Sequence, residues 1–178
     1  SRSLFFTAEE AGYIRIWTLP TSGGEPQLVS RKSTGVWQSI RIPAKAPGTQ
    51  LFGLWEAANR PGEVFRLDPS ANAPVRLTSF NAGAAAKLDW EPLREFWFTN
   101  KLGRPIHSFL ALPPGFTETA KYPLLVVIHG GHVGMWRDAI SRRWNYHLLA
   151  QPGYVVLLTD YVGSTGYGEK FTRDILGD

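Results

Sequence analysis

The 178-residue sequence contains no cysteine. Disulfide bonds, thiolate metal sites and a cysteine nucleophile are therefore excluded, while the redox compartment stays open. Long apolar runs are also missing: no stretch approaches the roughly 18 residues of a membrane span, and the opening Ser-Arg-Ser-Leu-Phe-Phe lacks the apolar core of a signal peptide. We expect a soluble chain without a membrane span, cytoplasmic or periplasmic.

Charge of one sign is not concentrated along the chain. Lysine and arginine total 19 against 15 acidic residues; ten basic and seven acidic residues lie in the first half, to Trp90, and nine and eight in the second. A nucleic-acid surface needs basic residues gathered on one face, so we predict no nucleic-acid partner. The densest basic group, Arg137, Arg142 and Arg143, is interpreted as a solvated helix face.

The first 80 residues contain an internal repeat of short strands. Leu-Phe-Phe-Thr at residues 4–7 is echoed by Leu-Phe-Gly-Leu at 51–54, and the segments 12–17 and 26–30 are echoed at 62–67 and 74–79. Offsets of 47 to 50 residues are typical of β-propeller blades. One repeat predicts strands at 36–42, 50–56, 63–68 and 75–79, and the upstream echo adds three strands. Propellers typically need at least four blades, so a longer parent is expected. A small β-meander or sandwich with a chance repeat is the alternative.

A different pattern follows a small-residue linker. Residues 95–99 and 107–112 predict paired strands, and the unbroken apolar run 124–128 predicts a strand buried on both faces of a parallel sheet. A helix is predicted over 139–151, with Trp144, Leu148 and Leu149 on one face. A second apolar strand at 154–158 completes a βαβ unit, and residues 169–176 predict the beginning of another helix.

The strand at 124–128 runs directly into His129, Gly130 and Gly131. Glycine amides at the carboxyl end of a strand can stabilise the negative oxygen of a tetrahedral intermediate, as an oxyanion hole does. A nucleophile elbow, Gly-x-Ser-x-Gly, does not occur in the sequence. Ser164 has Val162 two positions before it, so we interpret Ser164 as a hydrogen-bonding residue of a tight loop.

The four histidines suggest no metal site. His129 and His132 could pair on a metal, but no suitably placed carboxylate or third histidine accompanies them, so we predict neither metal nor cofactor. His107, in a predicted strand, and His147, in the predicted helix, are interpreted as structural.

In their order and spacing, these segments resemble the prolyl oligopeptidase family of serine peptidases, especially its dipeptidyl-peptidase and acylaminoacyl-peptidase branches. The resemblance rests on the blade-like repeats and on the segments at 98–116, 122–131, 144–145, 153–156 and 163–168. It implies the last blades of a β-propeller over residues 1–80, a linker over 81–92, and the first part of an α/β-hydrolase domain over 93–178. The implied fold is mixed: propeller blades are followed by a doubly wound, mainly parallel hydrolase sheet. This hydrolase part is expected to be incomplete, because the sequence stops before the nucleophile.

The resemblance also implies hydrolysis of short peptides through an acyl-enzyme, with Ser, Asp and His following downstream. Gly131 would supply the oxyanion amide and Gly130 would shape the turn. His129 stands where some relatives carry a tyrosine that helps to hold the oxyanion, and His132 stands where many have proline, so both are candidates for the substrate-site loop. Val162 stands where relatives usually have arginine, which removes a charge.

The expected partners are a peptide substrate and the remainder of the same polypeptide, and a homo-oligomer stays open. The segment alone is predicted to have no hydrolase activity. Two alternatives remain: an esterase or lipase with the same hydrolase fold, and a non-catalytic protein whose propeller binds a partner.

Overall fold

The computed structural model describes residues 3–30, 34–44, 50–71, 73–131 and 133–176. Two compact units are formed. The first comprises Ser1–Lys87 with Arg137–Ala139, and the second comprises Leu88–Trp136 and Ile140–Asp178. Within the described residues, the helices are all too short or too polar to cross a lipid bilayer.

Seven strands build the sheet of the first unit. The order across the sheet is β1-β2-β4-β5-β6-β7, and β3 pairs with β2 at Trp17 and Thr18. Neighbours are antiparallel except for β2 and β4, which meet in parallel at the single pair Ile14 and Val36. The strands are β1 Ser3–Glu10, β2 Tyr13–Pro20, β3 Gln27–Leu28, β4 Val36–Arg41, β5 Leu51–Ala57, β6 Arg60–Leu67 and β7 Val75–Arg76.

This arrangement confirms the strands predicted from the repeat. The antiparallel set β4 to β7 corresponds to one whole repeat, and β1 to β3 correspond to the three strands of the upstream echo. The two sets are joined by one bridging pair, which is a much weaker connection than the ladders within each set. Among the described residues, β5 and β6 are joined by Ala58 and Asn59 alone. β6 begins at Arg60, earlier than the predicted start at residue 63, so Pro61 and Gly62 lie within the strand.

Large apolar side chains fill the core of the first unit. Ile16, Trp37 and Leu51 are almost fully buried, and Val29 and Leu67 pack with them. The Trp37 ring meets Phe65 edge to face at 6.0 Å between ring centroids, a favourable aromatic geometry. Burying each such side chain contributes on the order of 1.5–3 kcal/mol.

One carboxylate closes the loops at one end of this unit. Asp138 is buried; its Oδ2 accepts from the Gly35 amide at 2.8 Å and its Oδ1 accepts from the Ala58 amide at 2.9 Å. The amide of Asp138 itself donates to the Gly12 carbonyl at 2.9 Å. Gly35 has φ +78°, and a Cβ there would lie 2.2 Å from the Glu56 carbonyl oxygen, so only glycine fits. The short helix α1, Ala82–Ala85, ends the unit's first stretch of chain.

The second unit has a four-stranded sheet of order β10-β11-β9-β8. β10 and β11 are parallel, whereas β11 with β9 and β9 with β8 are antiparallel. The predicted hairpin and the parallel βαβ unit are therefore both confirmed. A mainly parallel sheet is not what the described residues form, because two of their three strand pairings are antiparallel. The strands are β8 Arg94–Thr99, β9 Pro105–Ala111, β10 Leu124–Val127 and β11 Val155–Asp160; the helices are α2 Tyr146–Ala150 and α3 Glu169–Arg173.

The helix predicted over 139–151 is wrong in length and in its packed face. α2 starts only at Tyr146, because Asn145 acts as its N-cap and accepts from the Leu148 amide at 3.0 Å. Its buried residues are Tyr146, His147 and Ala150, which replace the predicted face of Trp144, Leu148 and Leu149.

The basic group that precedes α2 is not a helix face either. Arg137, Arg142 and Arg143 all lie before its first residue, so no helix carries them. Within the first unit, the Arg137 guanidinium pairs with Glu9 at 2.5 Å. The Arg143 guanidinium lies 5.7 Å from the centre of the Trp144 ring, which suits a cation–π contact.

Candidate active site

The predicted oxyanion loop leaves the carboxyl end of β10, in the parallel part of the second unit's sheet. After Ile128 the chain turns through His129, Gly130 and Gly131, and Gly131 has φ +72°, a conformation that other L-residues rarely adopt. A Cβ built on Gly130 would meet no atom within 4 Å, so this part of the loop borders open space. In open α/β sheets, ligands bind beyond the carboxyl ends of the strands, which is where this loop lies.

A single hydroxyl holds the loop's carbonyls. The Tyr161 hydroxyl lies 2.8 Å from the His129 carbonyl oxygen and 2.9 Å from the Gly131 carbonyl oxygen. Its phenol ring stacks on the His129 imidazole, with 4.6 Å between the ring centroids and 22° between the ring planes. Tyr161 can take this position because it directly follows the last residue of β11, the strand beside β10.

The His129 side chain is turned inward, with only 9% of it exposed. Its Nε2 lies 2.9 Å from the Ser164 Oγ and 3.4 Å from the Asp160 Oδ1. Because the Ser164 hydroxyl donates its one proton to the Tyr161 carbonyl at 2.7 Å, Ser164 must accept from His129. Nε2 therefore carries a proton, and Nδ1 lies 3.3 Å from the Tyr161 hydroxyl.

The buried Asp160 carboxylate binds the backbone at the far end of the same loop. Its Oδ1 accepts from the Trp136 amide at 2.8 Å, and its Oδ2 accepts from the Tyr167 hydroxyl at 2.5 Å. Tyr167 in turn lies 2.7 Å from the His107 Nδ1, and the His107 Nε2 lies 3.2 Å from the Glu95 carboxylate. This chain of polar groups is mostly buried, and each link has a partner, which makes such a network rigid.

Ser164 has the role that its sequence context indicates. It is fully buried, and its amide and its hydroxyl both donate to the Tyr161 carbonyl, at 3.0 and 2.7 Å. The neighbouring Gly163 has φ +106°, and a Cβ there would lie 2.9 Å from the Ile175 side chain. The glycines around Ser164 thus serve a tight turn, and the serine lies within that turn, away from solvent.

The remaining predicted residues fall in different places. His107 and His147 are buried structural residues: the His147 Nε2 lies 2.8 Å from the Glu91 carbonyl oxygen, and its ring stacks on Trp90 at 4.9 Å. His132 lies outside the described residues. Over the residues that are described, no cluster of three or more His, Cys, Asp or Glu side chains has metal-binding geometry.

An open, largely apolar hollow of about 540 Å³ adjoins the loop. Its lining includes Ile128, His129 and Gly130 from the loop, with Trp136 and Trp144 beside them. Asp174, which follows α3, forms ion pairs with Lys170 and Arg104. The hydrogen bond from Lys170, with the Arg104 charge adding to it, holds the pKa of the Asp174 carboxyl below its ordinary value.

The sequence analysis did not identify the tyrosines that shape this site. Tyr161 precedes the glycine-rich segment 163–168 and Tyr167 lies within it, yet their hydroxyls contact residues some 30 and 60 positions away in the chain. The one local signal is that the polar residue Asp160 ends an apolar strand and Tyr161 follows it, at the carboxyl end where parallel sheets place functional groups.

Comparison with known proteins gives a consistent result. The prolyl oligopeptidase family matches residues 140–178. Dipeptidyl-peptidase 5 of Schizosaccharomyces pombe (strain 972 / ATCC 24843) is 44% identical over 116 residues, covering 63% of this chain and 17% of that protein. Dipeptidyl-peptidase 5 of Arthroderma otae is 34% identical over 185 residues, covering 99% of this chain and 24% of that protein.

Solved structures show the same relationship. The uncomplexed acylaminoacyl peptidase of Pyrococcus horikoshii superposes with a TM-score of 0.79 at 25% identity, over 99% of this chain and 26% of that one. Dipeptidyl peptidase 4 of Porphyromonas gingivalis gives a TM-score of 0.72 at 18% identity, over 97% of this chain and 24% of that one, a likeness of fold alone. The sheet-rich, mixed fold of the chain is thus similar to that of these peptidase structures.

The chain spans about a quarter or less of the length of these relatives. The family match covers the segment containing Asp160, Tyr161 and Ser164, and the longer alignments run through both units. By sequence and by fold, the chain belongs to the prolyl oligopeptidase family.

Proposed function

We propose that the protein carrying this chain is a serine peptidase that hydrolyses short peptides through an acyl-enzyme. In this proposal residues 1–80 are the last blades of a β-propeller, 81–92 a linker and 93–178 the first part of the hydrolase domain. The dipeptidyl-peptidase relatives and the family match support the reaction class. The Ser, Asp and His of the triad are supplied by the rest of the polypeptide.

The observation that carries the proposal is the loop at the end of β10. Gly131 stands in a left-handed conformation next to Gly130, which borders open space, at the carboxyl edge of a parallel strand pair. An amide placed there can donate to a developing oxyanion, and losing one such donor typically costs about 3 kcal/mol of transition-state stabilisation. Gly131 is therefore proposed as one donor of the oxyanion hole, with Gly130 shaping the turn.

His129 contributes in a different way from the tyrosine of some relatives. Its ring nitrogens face Ser164 and Tyr161, so we propose that it supports the loop from beneath. His132 remains a candidate for the substrate-site loop on sequence grounds. The apolar hollow beside the loop is suited to a substrate side chain that has little charge.

The test uses the full-length protein. Turnover of dipeptidyl and aminoacyl nitroanilides is measured beside turnover of nitrophenyl esters, before and after treatment with a fluorophosphonate, and the modified residue is identified by mass spectrometry. We expect peptide hydrolysis that disappears as one serine within a Gly-x-Ser-x-Gly segment becomes labelled.

Other outcomes separate the alternatives. Ester turnover without peptide turnover would indicate an esterase, and absence of both turnover and labelling would indicate a non-catalytic binding protein. Residues 1–178, purified alone, serve as the comparison and are expected to show no turnover, because they contain no nucleophile elbow.

A further inference from the structure

We propose that Tyr161 is a positioning residue for the oxyanion loop: its hydroxyl shares its one proton between the carbonyls of His129 and Gly131 in a three-centre hydrogen bond and thereby fixes the direction of the Gly131 amide. This inference rests on the proposed peptidase function, and it assigns a role to a side chain that need not touch the substrate. The hydroxyl lies 2.8 and 2.9 Å from the two carbonyl oxygens.

The glycine part of the loop needs an external restraint because Gly130 and Gly131 have no side chains of their own. Gly130 and Gly131 are adjacent glycines, which have the widest choice of backbone angles, and no atom lies within 4 Å of a Cβ built on Gly130. The His129 and Gly131 carbonyls belong to the peptide units on either side of the Gly130–Gly131 peptide. Peptide units are planar, so each moves as a rigid plate. When the peptide units before and after it are held, the Gly130–Gly131 peptide can change orientation only by rotating as a whole about the bonds that join it to them.

Tyr161 is itself held firmly enough to act as this restraint. Its carbonyl accepts from both the amide and the hydroxyl of Ser164, and its ring stacks on the His129 imidazole. The loop's far end is fixed independently, because the Thr165 amide donates to the Gly134 carbonyl at 2.9 Å. Removing the Tyr161 hydroxyl therefore frees the centre of the loop and leaves its far end attached.

The expected effect is on the chemical step. A displacement of about 1 Å at a reacting group can cost about 100-fold in rate, and complete loss of an oxyanion donor costs roughly 100- to 1000-fold. Tyr161→Phe keeps the Gly131 amide but removes the hydroxyl that orients it, so we expect kcat to fall about 10- to 100-fold. KM should change less than about 3-fold, because the oxyanion forms only in the transition state.

The experiment compares Tyr161→Phe with Tyr122→Phe in the full-length protein. The Tyr122 hydroxyl accepts from the Thr117 amide at 2.9 Å, near the opposite end of β10, so it is a matched loss of one phenol hydroxyl in the same unit. Readouts are kcat and KM on a peptide nitroanilide, and the rate constant of inactivation by a fluorophosphonate, whose phosphoryl oxygen occupies the same hole. Both kcat and the inactivation rate should fall in Tyr161→Phe and stay near wild type in Tyr122→Phe.

Equal kcat in wild type and Tyr161→Phe, or equal losses in both variants, would overturn the proposal. If Tyr161→Phe does not unfold cooperatively, Tyr161→Met, which also lacks a donor, takes its place. Loss of cooperative unfolding in both would assign Tyr161 to the fold and would also overturn the proposal.

A crystal structure of the folded variant gives a readout that is independent of activity. There the Gly130–Gly131 peptide should adopt more than one orientation, and one unchanged orientation contradicts the inference even if the wild type proves to have no peptidase activity.

Discussion

Replacing Asp138 should expose two particular amides of the first unit to exchange with solvent. Its carboxylate accepts from Gly35 at 2.8 Å and from Ala58 at 2.9 Å, and the carboxylate, Ala58 and their surroundings are buried. Hydrogen bonds to a charged group contribute about 1.5–3 kcal/mol each, so Asp138→Ala should cost about 3–6 kcal/mol locally. At about 1.4 kcal/mol per tenfold change, each amide should exchange roughly 10- to 100-fold faster.

The substitution Asp138→Asn gives a sharper form of this prediction. An asparagine side chain keeps one acceptor oxygen and replaces the other with a donor, so it can satisfy only one of the two amides. Hydrogen exchange followed by mass spectrometry on the full-length protein should show faster exchange at both Gly35 and Ala58 in Asp138→Ala, and at one of them in Asp138→Asn.

A control lies in the same unit. The Asp68 carboxylate accepts from Ser70 in an exposed turn, so Asp68→Ala should leave the exchange of both amides unchanged. Unchanged exchange at Gly35 and Ala58 in Asp138→Ala would refute the reasoning, because those amides would then be protected by something other than this carboxylate.

Two further predictions concern the same unit. The hydrogen bond from the Thr78 hydroxyl is the largest cause that holds the pKa of the Glu63 carboxyl below its ordinary value of 4.5. The ionised carboxylate therefore stabilises the fold fully above pH 4.5, and this stabilisation is lost as the pH falls through the lowered pKa. Glu63→Gln should remove this part of the acid dependence, measured as the thermal midpoint at pH 7 and below pH 4.5. Gly35→Ala places a Cβ 2.2 Å from the Glu56 carbonyl oxygen and should destabilise by about 2–5 kcal/mol. Gly23→Ala, with φ +92° but no atom within 4 Å, should cost only about 1–2 kcal/mol, and equal midpoints in the two variants would contradict the steric argument.

The strands of both units could be predicted from sequence because local patterns determine them. The apolar runs predicted β10 and β11 as strands, and both form. Burial of β10 on both faces is wrong for the described chain, because Leu124 and Val126 are about half exposed. The position of the His-Gly-Gly loop followed from the same logic, since the carboxyl end of such a strand is where it must emerge. These features depend on residues that are close together in the chain.

What the sequence did not reveal depends on contacts between distant residues or on single capping groups. The start of α2 is set by the Asn145 side chain, while the apolar positions before it suggested a longer helix. The Tyr161 hydroxyl reaches His129 and Gly131 only because β11 lies beside β10 in the sheet. Hydrophobic periodicity reports which face of an element is apolar, and it carries no information about which hydroxyl will meet which carbonyl.

The strand order of the second unit also bears on how the chain matures during synthesis. β8 and β9 are neighbours in sequence and in space, so their hairpin can form early. Among the described strands, β10 pairs with β11, which is made later. At about 5–20 residues per second, translation from Ile128 to the end of β11 takes on the order of 2–6 s. During that interval β10 lacks its β11 partner, and unpaired apolar strands are the segments that aggregate. We therefore expect slow translation through this region to raise the demand for chaperones.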